Sequence, residues 1–156
     1  MSQDKDSCPS DLFPCPPDLF SCLSACDAKT PPWSLQGREV WAKCVSVYDG
    51  DTARLAFSPL PQSSPRVFNC RLCGYNSAEL RSKDQGEKAA ALAARDYLRS
   101  LILGKVVRAE LGSFDKYGRV LAKIWVREGD GEFELSSRML EKGFGQPYQG
   151  KGEKRW

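Results

Sequence analysis

The sequence contains no histidine, and this absence excludes several kinds of chemistry at once. Histidine is the usual general base near neutral pH and the usual companion of cysteine in mixed zinc sites, so neither is available here. No apolar run approaches the roughly 18 residues that a membrane-spanning helix needs. Lysine and arginine (23) outnumber aspartate and glutamate (20) by only three charges. That near-balance excludes a polycationic nucleic-acid coat but leaves room for a local basic site.

The cysteines and the first residues bear on the cellular compartment. Seven cysteines are an odd number, which argues against a complete disulfide framework. Met1-Ser2-Gln3-Asp4-Lys5-Asp6 is not a basic segment followed by an apolar run, so we expect no signal peptide. Both observations favour a reducing, intracellular, cytoplasmic location without membrane association.

The first 36 residues differ from the rest by their richness in proline and cysteine. A heptapeptide pattern occurs twice, as Cys8-Pro9-Ser10-Asp11-Leu12-Phe13-Pro14 and Cys15-Pro16-Pro17-Asp18-Leu19-Phe20-Ser21. Its prolines exclude a continuous coiled-coil helix, and we predict a disordered tail over residues 1–36. Two alternatives stay open: a segment that docks on a protein partner through its Leu-Phe pairs, and a thiolate metal site made by Cys8, Cys15, Cys22 and Cys26.

From residue 37 onward the pattern predicts a folded domain that extends to residue 148. Alternating apolar residues and turn signals predict five strands, at Glu39–Tyr48, Thr52–Phe57, Arg66–Gly74, Val107–Leu111 and Val120–Val126. Asp84 and Glu87 predict a capping box before a helix over Ala89–Leu103, and a short helix is predicted over Leu135–Lys142. Five short strands with a helix after the third are typical of a mainly β, α+β domain with an OB-type Greek-key barrel.

Three polar clusters lie at or just beyond the ends of predicted strands, and each has two interpretations. Asp49-Gly50-Asp51-Thr52 is either a hairpin turn or a pair of carboxylates for a hard cation such as calcium. Arg71 and Glu79 are, taken singly, either ordinary surface charges or parts of a site. Asp115-Lys116-Tyr117-Gly118-Arg119 is either a charged turn or an arginine fork for phosphate.

In this order and on these elements, the three clusters together resemble the staphylococcal nuclease family over residues 39–148. The resemblance implies an OB barrel and a Ca²⁺-dependent endonuclease, a hydrolase that cleaves phosphodiester bonds of DNA or RNA and leaves 3′-phosphate ends. It assigns Glu79 to the attacking water, and Arg71 and Arg119 to the scissile phosphate. The implied calcium ligands are Asp51, Asp49, Asn76 and the backbone carbonyl of Ser77; the implied substrate contacts are Lys116, Tyr117 and Tyr148.

The sequence departs from the family at Asn76, where relatives usually have an aspartate ligand. A neutral amide oxygen still coordinates calcium, but affinity follows the charge of the ligand set, so we expect weaker calcium binding than in a typical relative. Residues 149–156 are predicted to be a basic tail that either touches nucleic acid or frays. Cys70 and Cys73 are predicted to be structural and to point to opposite faces of one strand.

The expected partner is single-stranded or locally opened DNA and RNA, bound by a monomer. The alternative is a catalytically weak OB module that only binds nucleic acid or protein. Because loss of catalysis would remove the arginines and the glutamate first, the presence of Arg71, Glu79 and Arg119 favours the enzyme.

Overall fold

The computed structural model describes residues 15–148, and the chain divides into two units after Trp33. In the first unit Pro17–Ser24 form a helix, α1, although no helix was predicted there. Pro17 occupies the first turn of α1, where a missing N–H costs nothing, so proline begins this helix instead of interrupting it. Residues 1–14, with Cys8 and the first Leu-Phe pair, lie outside the described residues.

The second unit is a closed five-stranded barrel, which confirms the predicted OB-type, α+β fold. Its strands have the order β3-β2-β1-β5-β6, and a parallel pairing of β6 with β3 closes the sheet, whereas the other four pairings are antiparallel. In chain order the elements are β1 (Glu39–Val47), β2 (Thr52–Phe57), β3 (Arg66–Leu72), β4 (Gly74–Asn76), α2 (Gln85–Ile102), β5 (Val106–Phe114), β6 (Val120–Glu128), β7 (Gly131–Glu134), α3 (Leu135–Glu141) and β8 (Gln146–Tyr148).

The barrel interior is filled by the apolar stripes that the alternation predicted. These are Ala53, Leu55 and Phe57 on β2, Val107, Ala109 and Leu111 on β5, and Val120, Ala122, Ile124 and Val126 on β6, all of them buried. None of the helices described over residues 15–148 is long and apolar enough to cross a membrane.

The structure differs from the prediction mainly at short elements. The third strand ends at Leu72, because Gly74 adopts a left-handed backbone angle (φ +95°) and starts a separate strand, β4. Strands β7 and β8 were not predicted; β7 extends the sheet beside β6, and β8 pairs with β4. The folded unit also begins before residue 37, since Leu35 is fully buried in the core.

The start of α2 confirms half of the predicted capping box. The Asp84 carboxylate accepts a hydrogen bond from the Glu87 N–H at 2.7 Å. The Glu87 carboxylate, however, accepts from the Ser82 hydroxyl, and the Asp84 N–H donates to that same hydroxyl oxygen at 3.2 Å. Ser82 therefore bridges the two groups that were expected to meet directly.

Candidate active site

Strand pairing brings the three polar clusters to one end of the barrel. Thr52 lies opposite Arg71 in the β2–β3 pair, and Arg71 lies opposite Leu121 in the β3–β6 pair. Leu121 comes two residues after Arg119. The β1–β2 turn, the end of β3 and the β5–β6 loop therefore meet, although they are far apart in the sequence.

An open cleft of about 450 Å³ lies at this meeting point. Six of the predicted site residues line it, namely Asp49, Asp51, Ser77, Glu79, Tyr117 and Arg119. Five further lining residues were not predicted: Tyr48, Thr52, Ala78, Leu80 and Arg81. The other predicted site residues, Arg71, Asn76, Lys116 and Tyr148, lie outside the lining of this cleft.

Asp49 and Asp51 form a carboxylate pair on the β1–β2 turn. The Asp49 Oδ1 atom accepts a hydrogen bond from the Asp51 N–H at 3.0 Å, and Asp51 Oδ2 accepts from the Ser77 N–H at 2.8 Å. Burial, together with the nearby charge of Asp51, raises the pKa of Asp49 to about 6. The protein neutralises the negative charge of this carboxylate pair only in part. Charged oxygen donors at an open cleft suit a hard divalent cation.

A calcium ion would need further oxygen ligands beyond this pair. Within residues 15–148 no group of three or more cysteine, aspartate and glutamate side chains converges on a metal position. Ser77 is the predicted ligand that lines the cleft beside the two carboxylates. Hydroxyl and backbone oxygens are ordinary calcium ligands, so the donor set fits calcium while carrying little ligand charge.

Gly50 is what allows this turn to approach the chain after β4. A Cβ atom added at Gly50 would lie 2.5 Å from the Ser77 Cβ and 2.8 Å from the Ala94 Cβ. The hydroxyl of the buried Tyr75 donates a hydrogen bond to the Gly50 carbonyl at 2.6 Å and stabilises the turn from the core side. The sequence suggested Gly50 only as a turn residue and carried no signal for the role of Tyr75, because that contact joins residues far apart in the chain.

Arg71 lies behind the carboxylate pair and not in the cleft wall. Its side chain is buried (7% exposed) and donates to the carbonyl oxygens of Leu72 and Tyr75 and to Asn76 Oδ1. The Arg71 Nη2 atom also lies 3.3 Å from Asp51 Oδ2. Asn76, only 2% exposed, therefore directs its amide oxygen to the guanidinium. The contacts of Arg71 thus connect it to two predicted calcium ligands, Asp51 and Asn76.

A separate, smaller cavity of about 160 Å³ lies beside Arg71. Arg71, Cys73 and Tyr148 all line it. Tyr148 reaches this position because β8 pairs with β4, which sets Tyr148 opposite Gly74. The predicted substrate tyrosine therefore neighbours one of the two predicted phosphate-binding arginines but lies outside the main cleft.

Arg119 is held in the cleft by two partners that the sequence did not identify. Its Nε atom donates to Asp115 Oδ2 at 2.7 Å, while its backbone N–H donates to Asp115 Oδ1 at 2.9 Å. The Arg119 Nη1 atom donates to the Thr52 hydroxyl at 3.1 Å, and that hydroxyl donates to Asp51 Oδ1 at 3.2 Å. A chain of polar contacts therefore links Arg119 to the carboxylate pair through Thr52.

The β5–β6 loop also presents an exposed aromatic ring. Tyr117 is 72% exposed, and the Arg119 guanidinium carbon lies 5.4 Å from its ring centroid. The Lys116 ammonium lies 5.0 Å from the same centroid, from outside the cleft lining. These cations and the ring together make a surface suited to a phosphate and its sugar or base.

Cys70 and Cys73 do not share a strand, contrary to the prediction. Cys70 is buried within β3, whereas Cys73 follows the end of β3 and is half-buried. Both are free thiols, and burial raises the pKa of the Cys70 thiol to about 12. A group that stays protonated at neutral pH in the core is a packing residue and not a nucleophile.

Comparison with known proteins gives several similar fungal sequences. Probable endonuclease LCL3 of Yarrowia lipolytica is 32% identical over 145 residues, which cover 81% of this chain and 63% of the relative. The proteins of the same name from Meyerozyma guilliermondii and Emericella nidulans are 25% and 28% identical; the matches cover 73% of this chain in both cases, and 57% and 49% of the relatives. The chain therefore spans less than two thirds of the length of these relatives. The family model for staphylococcal nuclease homologues matches residues 69–155, and the chain belongs to that family.

Proposed function

We propose that this protein is a calcium-dependent endonuclease that hydrolyses phosphodiester bonds of DNA or RNA. One observation carries the proposal: a glutamate, an arginine and a carboxylate pair, Glu79, Arg119, Asp49 and Asp51, line a single open cleft. Hydrolysis of a phosphodiester needs a base for water and cations for the developing charge, and this cleft offers candidates for both.

Glu79 is the proposed base that orients or deprotonates the attacking water. Glu79 is exposed on the loop after β4 and lines the same cleft as Arg119. A carboxylate can accept the proton of a water molecule only if that water sits beside the phosphorus atom, so geometry matters more than basicity here.

Arg119 is the proposed donor to the scissile phosphate. Asp115 and Thr52 hold its guanidinium at Nε and Nη1, which leaves the Nη2 edge to a phosphate oxygen. A guanidinium held in place before the substrate arrives stabilises negative charge without having to reorganise. Arg71 is proposed to support the same phosphate through its positive charge from behind the carboxylates, since its Nη2 atom already donates to Tyr75 and Asn76 and lies 3.3 Å from Asp51 Oδ2.

Calcium is the proposed metal, held by Asp49 and Asp51 with the carbonyl of Ser77, and by the amide oxygen of Asn76 once that oxygen turns away from the Arg71 guanidinium. When bound, it would neutralise charge on the phosphate and so make the phosphorus atom easier to attack. Asp51 is oriented for this by the N–H of Ser77 and the hydroxyl of Thr52. Lys116, Tyr117 and Tyr148 are proposed to contact neighbouring parts of a single-stranded or locally opened substrate.

The test is a cleavage assay with purified full-length protein on single-stranded DNA and on RNA, over a calcium titration and with chelator. Glu79→Gln keeps the shape of the side chain but removes the base, and we expect its kcat to fall by about 100-fold or more. Glu110→Gln is the matched control, since Glu110 is exposed on β5 away from the cleft. Cleavage that persists in chelator and in Glu79→Gln contradicts the mechanism, and binding without any cleavage supports the rival nucleic-acid-binding module.

A further inference from the structure

A bulge in β1 determines which face its last residues present. Up to Cys44 the even-numbered residues face the core, as Ala42 and Cys44 do. The register with β2 then slips between Cys44 and Ser46, so one extra residue is inserted, and the next buried residue is Val47. A bulge of this kind re-aims the side chains that follow it.

The residue that this shift turns outward is Tyr48. Without the bulge its even number would direct it into the barrel; instead it is 53% exposed and lines the cleft next to Asp49. Its backbone is fixed, because the Tyr48 N–H donates to the Thr52 carbonyl at 2.9 Å. The fold therefore holds a large aromatic side chain at the edge of the cleft, on the turn that carries the proposed metal ligands.

The surroundings of Tyr48 favour a nucleic-acid base over a protein side chain as its partner. Arg81 and Arg119 line the same cleft, and each can bind a phosphate locally, beside the carboxylates that also line it. A nucleic-acid strand whose phosphate is bound at Arg119 must place its bases nearby, and every base offers a flat face for stacking. In a duplex those faces are already covered by neighbouring bases, whereas in a single strand they are free.

We propose that Tyr48 stacks on an unpaired base next to the phosphate bound in the cleft and thereby selects single-stranded nucleic acid. Tyr48 is thus a specificity-determining residue of the proposed nuclease, and the inference rests on that proposed function. The tyrosine hydroxyl is not required for stacking, whereas the ring is.

The test compares two short oligodeoxynucleotides, one with normal bases and one with tetrahydrofuran abasic residues at every position. Cleavage of each is measured for the wild type, Tyr48→Leu, Tyr48→Phe and Trp41→Leu. Trp41→Leu is the matched control, since Trp41 lies on β1, the strand that leads to Tyr48, is 69% exposed and does not line the cleft.

Tyr48→Leu should lower kcat/KM on the base-bearing strand about tenfold, or about 1.4 kcal/mol, a size typical of one lost base–aromatic contact. It should leave cleavage of the abasic strand unchanged, while Tyr48→Phe and Trp41→Leu should behave as wild type on both substrates. The ratio of single-stranded to duplex cleavage should also fall in Tyr48→Leu alone.

Two results overturn the proposal: an unchanged kcat/KM in Tyr48→Leu, and an equal loss on the base-bearing and abasic strands. The second would mean that the ring only supports the turn that carries Asp49. If the wild type cleaves neither strand, the nuclease function fails instead. Binding of the two oligonucleotides to the same variants then decides the stacking separately, since only a base-stacking tyrosine discriminates between them.

Discussion

The hydroxyl of Thr52 joins the two halves of the cleft, and its removal is the most direct test of the site geometry. It accepts a hydrogen bond from Arg119 Nη1 at 3.1 Å and donates one to Asp51 Oδ1 at 3.2 Å. Thr52→Val removes both bonds while it keeps the shape and the β-branching that β2 favours. Thr52→Ser keeps the hydroxyl and removes only a methyl group.

The expected effect follows from what each partner retains. Arg119 keeps Asp115, and Asp51 keeps the Ser77 N–H, so neither group loses all of its support. Hydrogen bonds to charged groups contribute about 1.5–3 kcal/mol each. If one such contribution is lost from the transition state, kcat/KM falls by about 10-fold to 150-fold.

The assay is steady-state cleavage of single-stranded DNA at saturating calcium, with thermal unfolding measured alongside. Thr52→Val should show the loss in kcat/KM, whereas Thr52→Ser should stay within about threefold of wild type, since a hydroxyl remains to bridge the two groups. A Thr52→Val variant as active as wild type would refute the idea that this hydroxyl organises the cleft. An equal loss in Thr52→Ser, which keeps the hydroxyl, would show that the hydroxyl alone does not account for the effect.

Three further predictions test other parts of the structure. Tyr75→Phe leaves the buried Gly50 carbonyl without its donor, so the free energy of unfolding, measured with urea, should fall by about 1–3 kcal/mol; an unchanged value would show that another group replaces the hydroxyl. Asn76→Asp adds a charged ligand to the proposed calcium site, so the calcium concentration for half-maximal cleavage should fall, and a higher requirement would contradict the assignment. Because burial raises the pKa of Cys70 to about 12, mass spectrometry should find Cys70 unalkylated by iodoacetamide at pH 8 until the protein is unfolded, and rapid labelling of the native protein would contradict this.

The parts of the fold that could be predicted are those governed by local alternation and by turn residues. Strand β2 buries Ala53, Leu55 and Phe57 and exposes or half-exposes the residues between them, so its period of two was legible in the sequence. The same holds for β5 and β6. The OB-type barrel then followed from the order of the elements, because few topologies accommodate five short strands with a helix after the third.

What could not be predicted depends on contacts between distant segments. Arg71 occupies a strand position whose neighbours Val67 and Asn69 are exposed, yet its own side chain is buried by acceptors from β4. β4 has only three residues and pairs with β8 near the other end of the chain, so no local sequence pattern predicts β4 or its pairing. The position of Tyr48 at the cleft could not be predicted for a different reason. A bulge just before Tyr48 reverses the alternation of inward-facing and outward-facing side chains.

The substitution at Asn76 affects more than the proposed metal, because its amide oxygen accepts from the same guanidinium that lies beside Asp51. With aspartate at this position, Arg71 would face two carboxylates; with asparagine it faces one, and more of its positive charge remains for a bound phosphate. We therefore expect asparagine at this position to weaken the attraction for calcium and to strengthen the attraction for a substrate phosphate. By this reasoning Asn76→Asp should raise KM for single-stranded DNA at saturating calcium, even as it lowers the calcium requirement. If KM and the calcium requirement both fell in Asn76→Asp, the charge of Arg71 would not be shared between the calcium site and the phosphate site.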